Sequence, residues 1–356
     1  MKKITMIEVL IVIVVIIVIV NIWGYYKNAN LLSNKVKPLK PYIFLTEWGE
    51  KGDREGQFEN PLKIAIDKNN NIYVVDRDNC RIQKFDSDGN FITTWGSKGR
   101  TKKNGPELAG LFLLPIGICS DGSNNIYVVD RGNSRIQKFD SDGNFKAAWE
   151  DIASFAISAD EKNNIYVDDL LAIQKFDADG NFINKWPLKL KESGAERGVC
   201  DIRLDSSGYI YILLYANTSD FAAECIDDIK THNSYIFKYD SSGNFISSWG
   251  VYGSEFNEYK DYINSARGIG IDKNDHIFVA ETGENRIQVY DPNGVFITEW
   301  GTKGTGDGEF RGPVDVAVDS EDNVYVVDYE NCRIQKFAPN PDYKKTNDIE
   351  GGKNEN

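Results

Sequence analysis

The segment Arg81-Ile82-Gln83-Lys84-Phe85-Asp86 returns almost unchanged at 135–140 and in looser form at four later places in the chain. Those looser copies lie at 172–177, 235–240, 286–291 and 333–338. A run rich in β-branched and aromatic residues precedes each copy, beginning with Asn71-Ile72-Tyr73-Val74-Val75-Asp76. Such residues favour short β-strands. Repetition at this spacing predicts that the chain is built from six copies of one β unit.

Each unit is predicted to contain four strands, labelled A to D. Strand A ends in Asp, strands B and C are the two segments above, and strand D has the spacing Phe-x-x-x-Trp, as in Phe91 to Trp95. The sixth unit lacks strand D, whereas an extra copy, Phe44 to Trp48, stands before the first unit. We expect this N-terminal strand to complete the last sheet, because a closed ring leaves no unpaired edge. The predicted fold class is all-β, a six-bladed β-propeller of four-stranded blades over residues 43–338.

The sixth unit resembles the NHL repeat. The resemblance rests on Glu309-Phe310-x-x-Pro313-x-x-Val316-Ala317-Val318-Asp319, on Asn323–Asp328 and on Asn331-x-Arg333-Ile334. It recurs in register over residues 43–338, and units three and four depart from it. It implies a propeller that recognises a partner through the loops of one face.

The N-terminus is predicted to be a transmembrane anchor at residues 1–23. Residues 4–23 are apolar apart from three polar positions, and twenty helical residues match a hydrocarbon core of about 30 Å. No convincing small-residue cleavage site follows, so we favour an uncleaved anchor over the alternative, a cleaved signal peptide. A linker at 24–42 and a polar, disordered tail at 339–356 complete the predicted domains.

The stretch from Thr5 to Val12 resembles the N-termini of type IV pilins and pseudopilins, although Lys3 stands where that family has glycine. In that family the body of the protein lies outside the cytoplasm. Flanking lysines are nearly balanced on the two sides of the apolar segment, so charge alone does not set the orientation. The resemblance therefore implies a single-pass membrane protein with an extracytoplasmic propeller.

Charge excludes one class of partner. The formal net charge is −13, and because residues 1–42 carry six lysines against one glutamate, the remaining chain carries −18. Binding to a phosphate backbone needs clustered cations, so we expect no nucleic acid partner. The chain has two histidines, which excludes a zinc site built from three.

Loop lengths separate the two faces of the predicted ring. Four residues always join strand A to strand B, and four join C to D in the five complete cases. We call this side the turn face. All variation in length falls on the opposite loop face, in the D–A and B–C loops, with an insertion from Tyr215 to Ser234 in unit four. Binding residues usually lie on variable loops, so the loop face is the predicted functional face, with neutral drift as the alternative.

Strand A should line the central channel, and its charged residues are the candidate binding site at the channel mouth. They are Lys63, Asp201, Arg203, Arg267 and Asp315. These side chains could hold a polar ligand or an ion. The alternative is that they pair with one another around a wet channel.

A second charged set joins strands B and C. Four acidic residues end strand B, and an arginine opens strand C five residues later in each case. The pairs are Asp76 and Arg81, Asp130 and Arg135, Glu281 and Arg286, and Asp328 and Arg333. Repetition indicates structural clamps across the B–C loop rather than chemistry. Blade three keeps Asp169 but has Ala172 in place of the arginine.

Two further patterns have structural explanations. The regularly placed tryptophans from Trp48 to Trp300 are expected to pack between blades. Cys80 and Cys332 occupy equivalent positions in neighbouring blades, where a disulfide requires Cα atoms within about 7 Å and two free thiols are favoured.

The sequence predicts a membrane-anchored, extracytoplasmic propeller that binds a protein, peptide or glycan through its loop face. No catalytic residue, metal ligand or cofactor is assigned, and calcium is left open. The alternative is a calcium-dependent, lactonase-like hydrolase, or a lyase, with a site around Asp201 and Asp315. A zinc-dependent peptide-amidating lyase fits poorly, because His232 and His276 fall on opposite faces.

Overall fold

The computed structural model describes residues 41–100, 109–169, 172–188, 196–217, 233–250, 263 and 265–343. These residues form six four-stranded antiparallel sheets and one short two-stranded parallel sheet. The predicted six-bladed propeller of four-stranded blades is therefore confirmed. The expected anchor, most of the linker and most of the tail lie outside the described residues, among which no helix is long and apolar enough to cross a bilayer.

The strands are β1 (Tyr42–Trp48), β2 (Pro61–Ile66), β3 (Ile72–Asp76), β4 (Arg81–Phe85), β5 (Phe91–Trp95), β6 (Ser97–Lys98), β7 (Leu111–Phe112), β8 (Pro115–Ser120), β9 (Ile126–Asp130), β10 (Arg135–Phe139), β11 (Phe145–Glu150), β12 (Ile157–Ala159), β13 (Ile165–Asp168), β14 (Ala172–Phe176), β15 (Phe182–Pro187), β16 (Glu196–Leu204), β17 (Ile210–Asn217), β18 (Asn233–Tyr239), β19 (Phe245–Trp249), β20 (Ala266–Ile271), β21 (Ile277–Glu281), β22 (Arg286–Tyr290), β23 (Phe296–Trp300), β24 (Pro313–Val318), β25 (Val324–Asp328) and β26 (Arg333–Pro339).

The ring closes as the sequence predicts. In the last blade the strand order is β1-β26-β25-β24, so the N-terminal strand supplies the outer strand of the C-terminal sheet. Trp48 pairs with Ile334 and Phe44 with Phe337. The paired strands extend from Tyr42 to Pro339, one residue beyond the expected bounds at each end.

The six inner strands stand side by side around the channel. They are β2, β8, β12, β16, β20 and β24, and each contacts the next around the whole ring. The second strands are almost fully buried between blades. This arrangement exposes only a few side chains of each inner strand to the channel.

Tryptophan packs one blade against the next. The ring of Trp95 lies against Gly143 in the C–D turn of the following blade, where a Cβ atom would approach the ring to 2.6 Å. Gly143 also has φ +84°, which favours glycine. Where the last blade has no C–D turn, Tyr42 of β1 stacks on Trp300 instead, with ring centroids 4.3 Å apart. The series serves packing, as its regular spacing indicates.

The insertion in blade four is shorter than predicted. Tyr215 pairs with Ser234 and Ala216 with Asn233, so strands β17 and β18 continue into the segment that the sequence assigns to a loop. Residues 218–232 lie outside the described part of the chain. Continued strand pairing is the physical reason for the difference.

Candidate functional site

The structure brings four of the five candidate channel residues into one ionic network. Lys63 Nζ lies 2.8 Å from Asp201 Oδ2 and 3.4 Å from Asp315 Oδ1. Arg203 Nη1 lies 2.6 Å from Asp201 Oδ1, and its Nη2 lies 3.5 Å from Asp315 Oδ1. Two cations therefore neutralise two carboxylates, which is the mutual pairing that the sequence left as the alternative.

Backbone groups fix the two carboxylates in place. Ile64 N donates to Asp315 Oδ2 at 2.9 Å, and Ile269 N donates to Asp201 Oδ2 at 3.1 Å. Burial raises the pKa of the Asp315 carboxyl, and the neighbouring Asp201 adds to this, whereas Lys63 and Arg203 lower it. Burial without these partners would be costly, so the network depends on every member.

Arg267, the fifth candidate, contributes its backbone to this network. Its carbonyl oxygen accepts a hydrogen bond from Lys63 Nζ at 3.0 Å, and its side chain is buried. Together with Lys63 it borders a small depression on the loop-face side of the network. The depression has a volume of about 20 Å³ and is otherwise lined by Leu62, Ile116, Phe155, Val199, Cys200 and Val314. This is room for about one water molecule.

Calcium does not fit the network. Calcium takes six to eight oxygen ligands, and here the lysine ammonium lies between the two carboxylates where a metal ion would need to bind. Among the described residues no three His, Cys, Asp or Glu side chains are grouped so that they could hold a metal ion. Asp201 and Asp315 therefore act as partners of Lys63 and Arg203.

The clamps hold the loops of the loop face. In blade 1, Arg81 Nε donates to Asp76 Oδ2 at 2.7 Å, and its guanidinium also donates to the carbonyl oxygens of Asp53, Arg54 and Gln57. The same carboxylate accepts Glu59 N at 2.8 Å through Oδ1. Burial raises the pKa of Asp76, although the hydrogen bonds that its carboxylate accepts act to lower it. In blade 1 the clamp thus ties the preceding D–A loop to its blade.

The other three clamp pairs also form. Arg333 Nε donates to Asp328 Oδ2 at 2.8 Å and Arg135 Nε to Asp130 Oδ2 at 2.9 Å, while Arg286 contacts Glu281. Arg333 further donates to the carbonyl oxygens of the 302–312 loop at Thr305, Gly306 and Glu309. A glutamine two residues along strand C adds to each of the blade 1, 2 and 6 clamps, at Gln83, Gln137 and Gln335.

Blade three uses a residue that sequence reasoning missed. Asp168, rather than Asp169, is fully buried, and its Oδ1 accepts Phe155 N, Ala156 N and Ser154 Oγ, each at 2.8 Å. Asp169 instead contacts Gln174 and Lys185 near the surface. Asp168 pairs with Ile173 as Val75 pairs with Ile82 in blade 1, so the pairing register is the same and the anchoring carboxylate stands one position earlier in strand B.

Cys80 and Cys332 are free thiols. Both lie in B–C loops with left-handed backbone, at φ 53° and 51°, and burial raises the pKa of both thiols. The two residues are packed parts of the loops rather than a disulfide.

Comparison with known sequences identifies the repeats. The NHL repeat signature matches residues 58–85, 112–139 and 310–337, which fall in blades 1, 2 and 6. The chain thus contains NHL repeats in these three blades. Human NHL repeat-containing protein 3 is 35% identical over 97 residues, which cover 26% of this chain and 26% of that protein. The similarity thus spans about a quarter of the relative's length.

Two enzymes share parts of the sequence or the fold. A probable peptidyl-alpha-hydroxyglycine alpha-amidating lyase of Caenorhabditis elegans is 31% identical over 123 residues, or 33% of this chain and 34% of that protein. A streptogramin B lyase structure superposes with a TM-score of 0.52 over 84% of this chain and 98% of its own, at 16% identity. The second likeness shows the propeller fold alone.

Proposed function

We propose that this NHL-repeat protein is a binding module that recognises a protein, peptide or glycan through the D–A and B–C loops of its loop face. The observation that supports this most strongly is the closed centre of that face. The network of Lys63, Asp201, Arg203 and Asp315 leaves a depression of only about 20 Å³ among the described residues. A small-molecule substrate is larger than this space, so recognition there is by surface contact.

The clamps make the loop face suitable for such contact. Arg81 and Arg333 each bind a carboxylate and three loop carbonyl oxygens, so the D–A loops of blades 1 and 6 are held before a partner arrives. A preorganised surface loses less conformational entropy on binding. The loops of greatest length variation belong to the same face, and they supply specificity in this proposal.

The channel does not suit a calcium-dependent hydrolase. Its carboxylates, Asp201 and Asp315, are bonded to Lys63 and Arg203. A zinc-dependent lyase fits no better, because His276 lies in an A–B turn, where its Nδ1 is 2.8 Å from Asp272 Oδ2, and His232 lies outside the described residues.

We also propose that residues 1–23 anchor the chain in a membrane with the propeller outside the cytoplasm. The support is the apolar sequence of this segment and its resemblance to pilin N-termini. Alkaline extraction of membranes, followed by protease treatment of intact cells, tests both parts. We expect the full chain to remain with the membrane and its propeller to be cleaved from outside. Complete release into the soluble fraction would overturn the anchor.

Site-specific photo-crosslinking tests the choice of face. A crosslinker is placed at Lys303 or Arg311, which are exposed on the loop face, or at Lys162, which is exposed on the turn face. In native membranes, we expect a discrete partner adduct from the loop-face positions and none from Lys162. An Arg311→Glu variant should weaken capture of that same partner, with Lys162→Glu as the matched control. A partner captured through Lys162 alone would contradict the proposal.

A further inference from the structure

The channel widens on the turn-face side of the charged network. A cavity of about 290 Å³ lies there. Part of its wall is formed by six residues, one from each inner strand, that stand two places before the Asp at which strand A was predicted to end. These residues are Ala65, Cys119, Ser158, Arg203, Gly270 and Ala317. Five of the six are small, so the cavity owes its size to the sequence of the inner strands.

A second cavity of about 270 Å³ adjoins the first and lies nearer the turn face. The two share lining residues, including Ile66, Ser120 and Ala159. The outer cavity is bordered by carboxylates from the A–B turns, at Asp67, Asp121, Asp160, Glu161 and Asp319. Its lysine, Lys68, lies 2.6 Å from Glu161, so the acidic groups remain in excess. The entrance is therefore negative.

The inner end of the space is cationic. The side chain of Arg203 is 17% exposed, whereas those of Asp201 and Asp315 are 2% and 0% exposed. The guanidinium is thus the member of the network that reaches the cavity. Its Nη1 donates to Asp201 and to the Ile202 carbonyl oxygen. A guanidinium carries five N–H donors, which leaves donors for a further acceptor.

Ser158 gives an independent sign of a ligand. Its residue is 5% exposed and lines the inner cavity, and its hydroxyl makes no hydrogen bond within the described part of the chain. Its oxygen is not one of the buried, unpartnered polar atoms of the described residues, so it faces the space of the channel. Such a group in a polar cavity is suited to bonding a molecule held there.

We propose that this channel binds a small zwitterion of the amino-acid class, with its carboxylate at Arg203 and Ser158 and its ammonium group toward the acidic entrance. A simple anion is repelled by the entrance carboxylates, and a simple amine gains nothing from Arg203. The volume of about 290 Å³ is at the lower end of the range for ligand pockets, which suits a ligand of this size. The site is on the opposite face from the proposed partner surface.

Calorimetry on the full chain in detergent tests the charge pattern. The probes are glycine, 4-aminobutyrate and 6-aminohexanoate, together with butyrate and butylamine, which each lack one charge. We expect at least one zwitterion to bind with 1:1 stoichiometry and at least tenfold more tightly than butyrate or butylamine. Absence of binding by all three zwitterions, or equal binding of a singly charged analogue, would overturn the proposal.

Two variants locate the binding. Ala317→Leu fills the inner cavity and should abolish binding, and Ser158→Ala should weaken it about tenfold while removing a single oxygen atom. Ala147→Leu on the outer strand β11 makes the same change away from the channel and should leave affinity unchanged. Folding of each variant is checked by circular dichroism. Unchanged affinity in both Ser158→Ala and Ala317→Leu would place the ligand elsewhere and contradict the proposal.

Discussion

Blades 6, 1 and 2 differ from blades 3 and 4 in how neighbouring blades are joined. In blade 1, Lys84 Nζ donates to the carbonyl oxygen of Ser141 in the C–D turn of blade 2, at 2.8 Å. In blade 3 the equivalent lysine, Lys175, instead lies 3.7 Å from Asp160 of its own blade. In blade 4 the equivalent lysine, Lys238, does cross, donating to the carbonyl oxygen of Pro292 in blade 5 at 3.0 Å. Within the second sector the crossing contact is therefore missing where blade 3 meets blade 4.

The turn face shows the same difference. The third residue of an A–B turn reaches the previous blade, as where Asn70 Oδ1 accepts Ser320 Oγ at 3.1 Å and Asn124 Oδ1 accepts Lys68 N at 3.0 Å. In blade 4 this position is Gly208, which has no side chain to reach blade 3. Repeat-encoded contacts therefore weaken at one seam of the ring.

The channel network connects the two sectors across the centre. Lys63 and Asp315 come from blades 1 and 6, whereas Asp201 and Arg203 come from blade 4. A divergent blade is thus tied to the regular ones through buried charge. Buried charge in the network can therefore stabilise the ring where the seam contacts are fewer.

Removing the lysine of this network should have the largest effect. Lys63→Met leaves two buried carboxylates with one cation, and we expect the free energy of unfolding to fall by about 3–5 kcal/mol. Lys68→Met, which breaks an exposed pair, should cost less than about 1 kcal/mol. Equilibrium denaturation measures both values. Equal small losses would show that the sectors do not depend on the network.

Removing a clamp should cost less than breaking the network. Arg333→Ala leaves the buried Asp328 and three loop carbonyl oxygens without this donor, and we expect a loss of about 2–3 kcal/mol. Lys185→Ala in blade 3 removes a half-exposed contact to Asp169 and should cost less than about 1 kcal/mol. Limited proteolysis should show faster cleavage of the 302–312 loop in Arg333→Ala only. Similar losses in both variants would erase the difference between the sectors.

The turn-face links should have a smaller effect. Asn70→Gly removes the acceptor for Ser320 and should lower the free energy of unfolding by about 1 kcal/mol. Gly208→Asn introduces an amide at the seam, where φ is +82° and the nearest atom to a new Cβ is 3.9 Å away, so we expect no measurable loss. Hydrogen exchange at the A–B turns measures the local change. A larger loss in Gly208→Asn than in Asn70→Gly would reverse the expected order.

Acid should affect both sectors alike, because their C–D turns share one design. Burial on its own would raise the pKa of Asp140 in the C–D turn of blade 2. Hydrogen bonds from Asn144 and Asp142 and the nearby Lys146 outweigh this and lower the pKa to about 2. A carboxyl whose folded pKa lies below its unfolded value of about 4 stabilises the fold above about pH 4, and this contribution is lost as pH falls toward 2. Asp140→Asn should flatten the pH dependence of unfolding over this interval. An unchanged slope would contradict the assignment.

Much of the fold was predictable because it repeats. The missing strand D and its extra copy at Phe44–Trp48 predicted the closure, and the B–C spacing predicted the clamp pairs. The role of Asp168 was not predictable from spacing, because two adjacent aspartates end this strand and only the hydrogen bonds of the folded loop show which one anchors it. The pairing of Lys63 with Asp201 was left open, because it depends on distances across the channel between strands 138 residues apart. The turn-face cavity likewise appears only when six strands are assembled.

The most direct test is to measure the unfolding midpoint of the full-length protein while calcium is added. It distinguishes channel carboxylates that stabilise the fold from carboxylates that hold a catalytic ion. Lys63 and Arg203 already bind the carboxylate oxygens of Asp201 and Asp315, where a calcium ion would have to bind. We therefore expect the same unfolding midpoint with calcium or with a chelator. A stoichiometric calcium-dependent rise in the midpoint that disappears in Asp201→Asn would contradict the account.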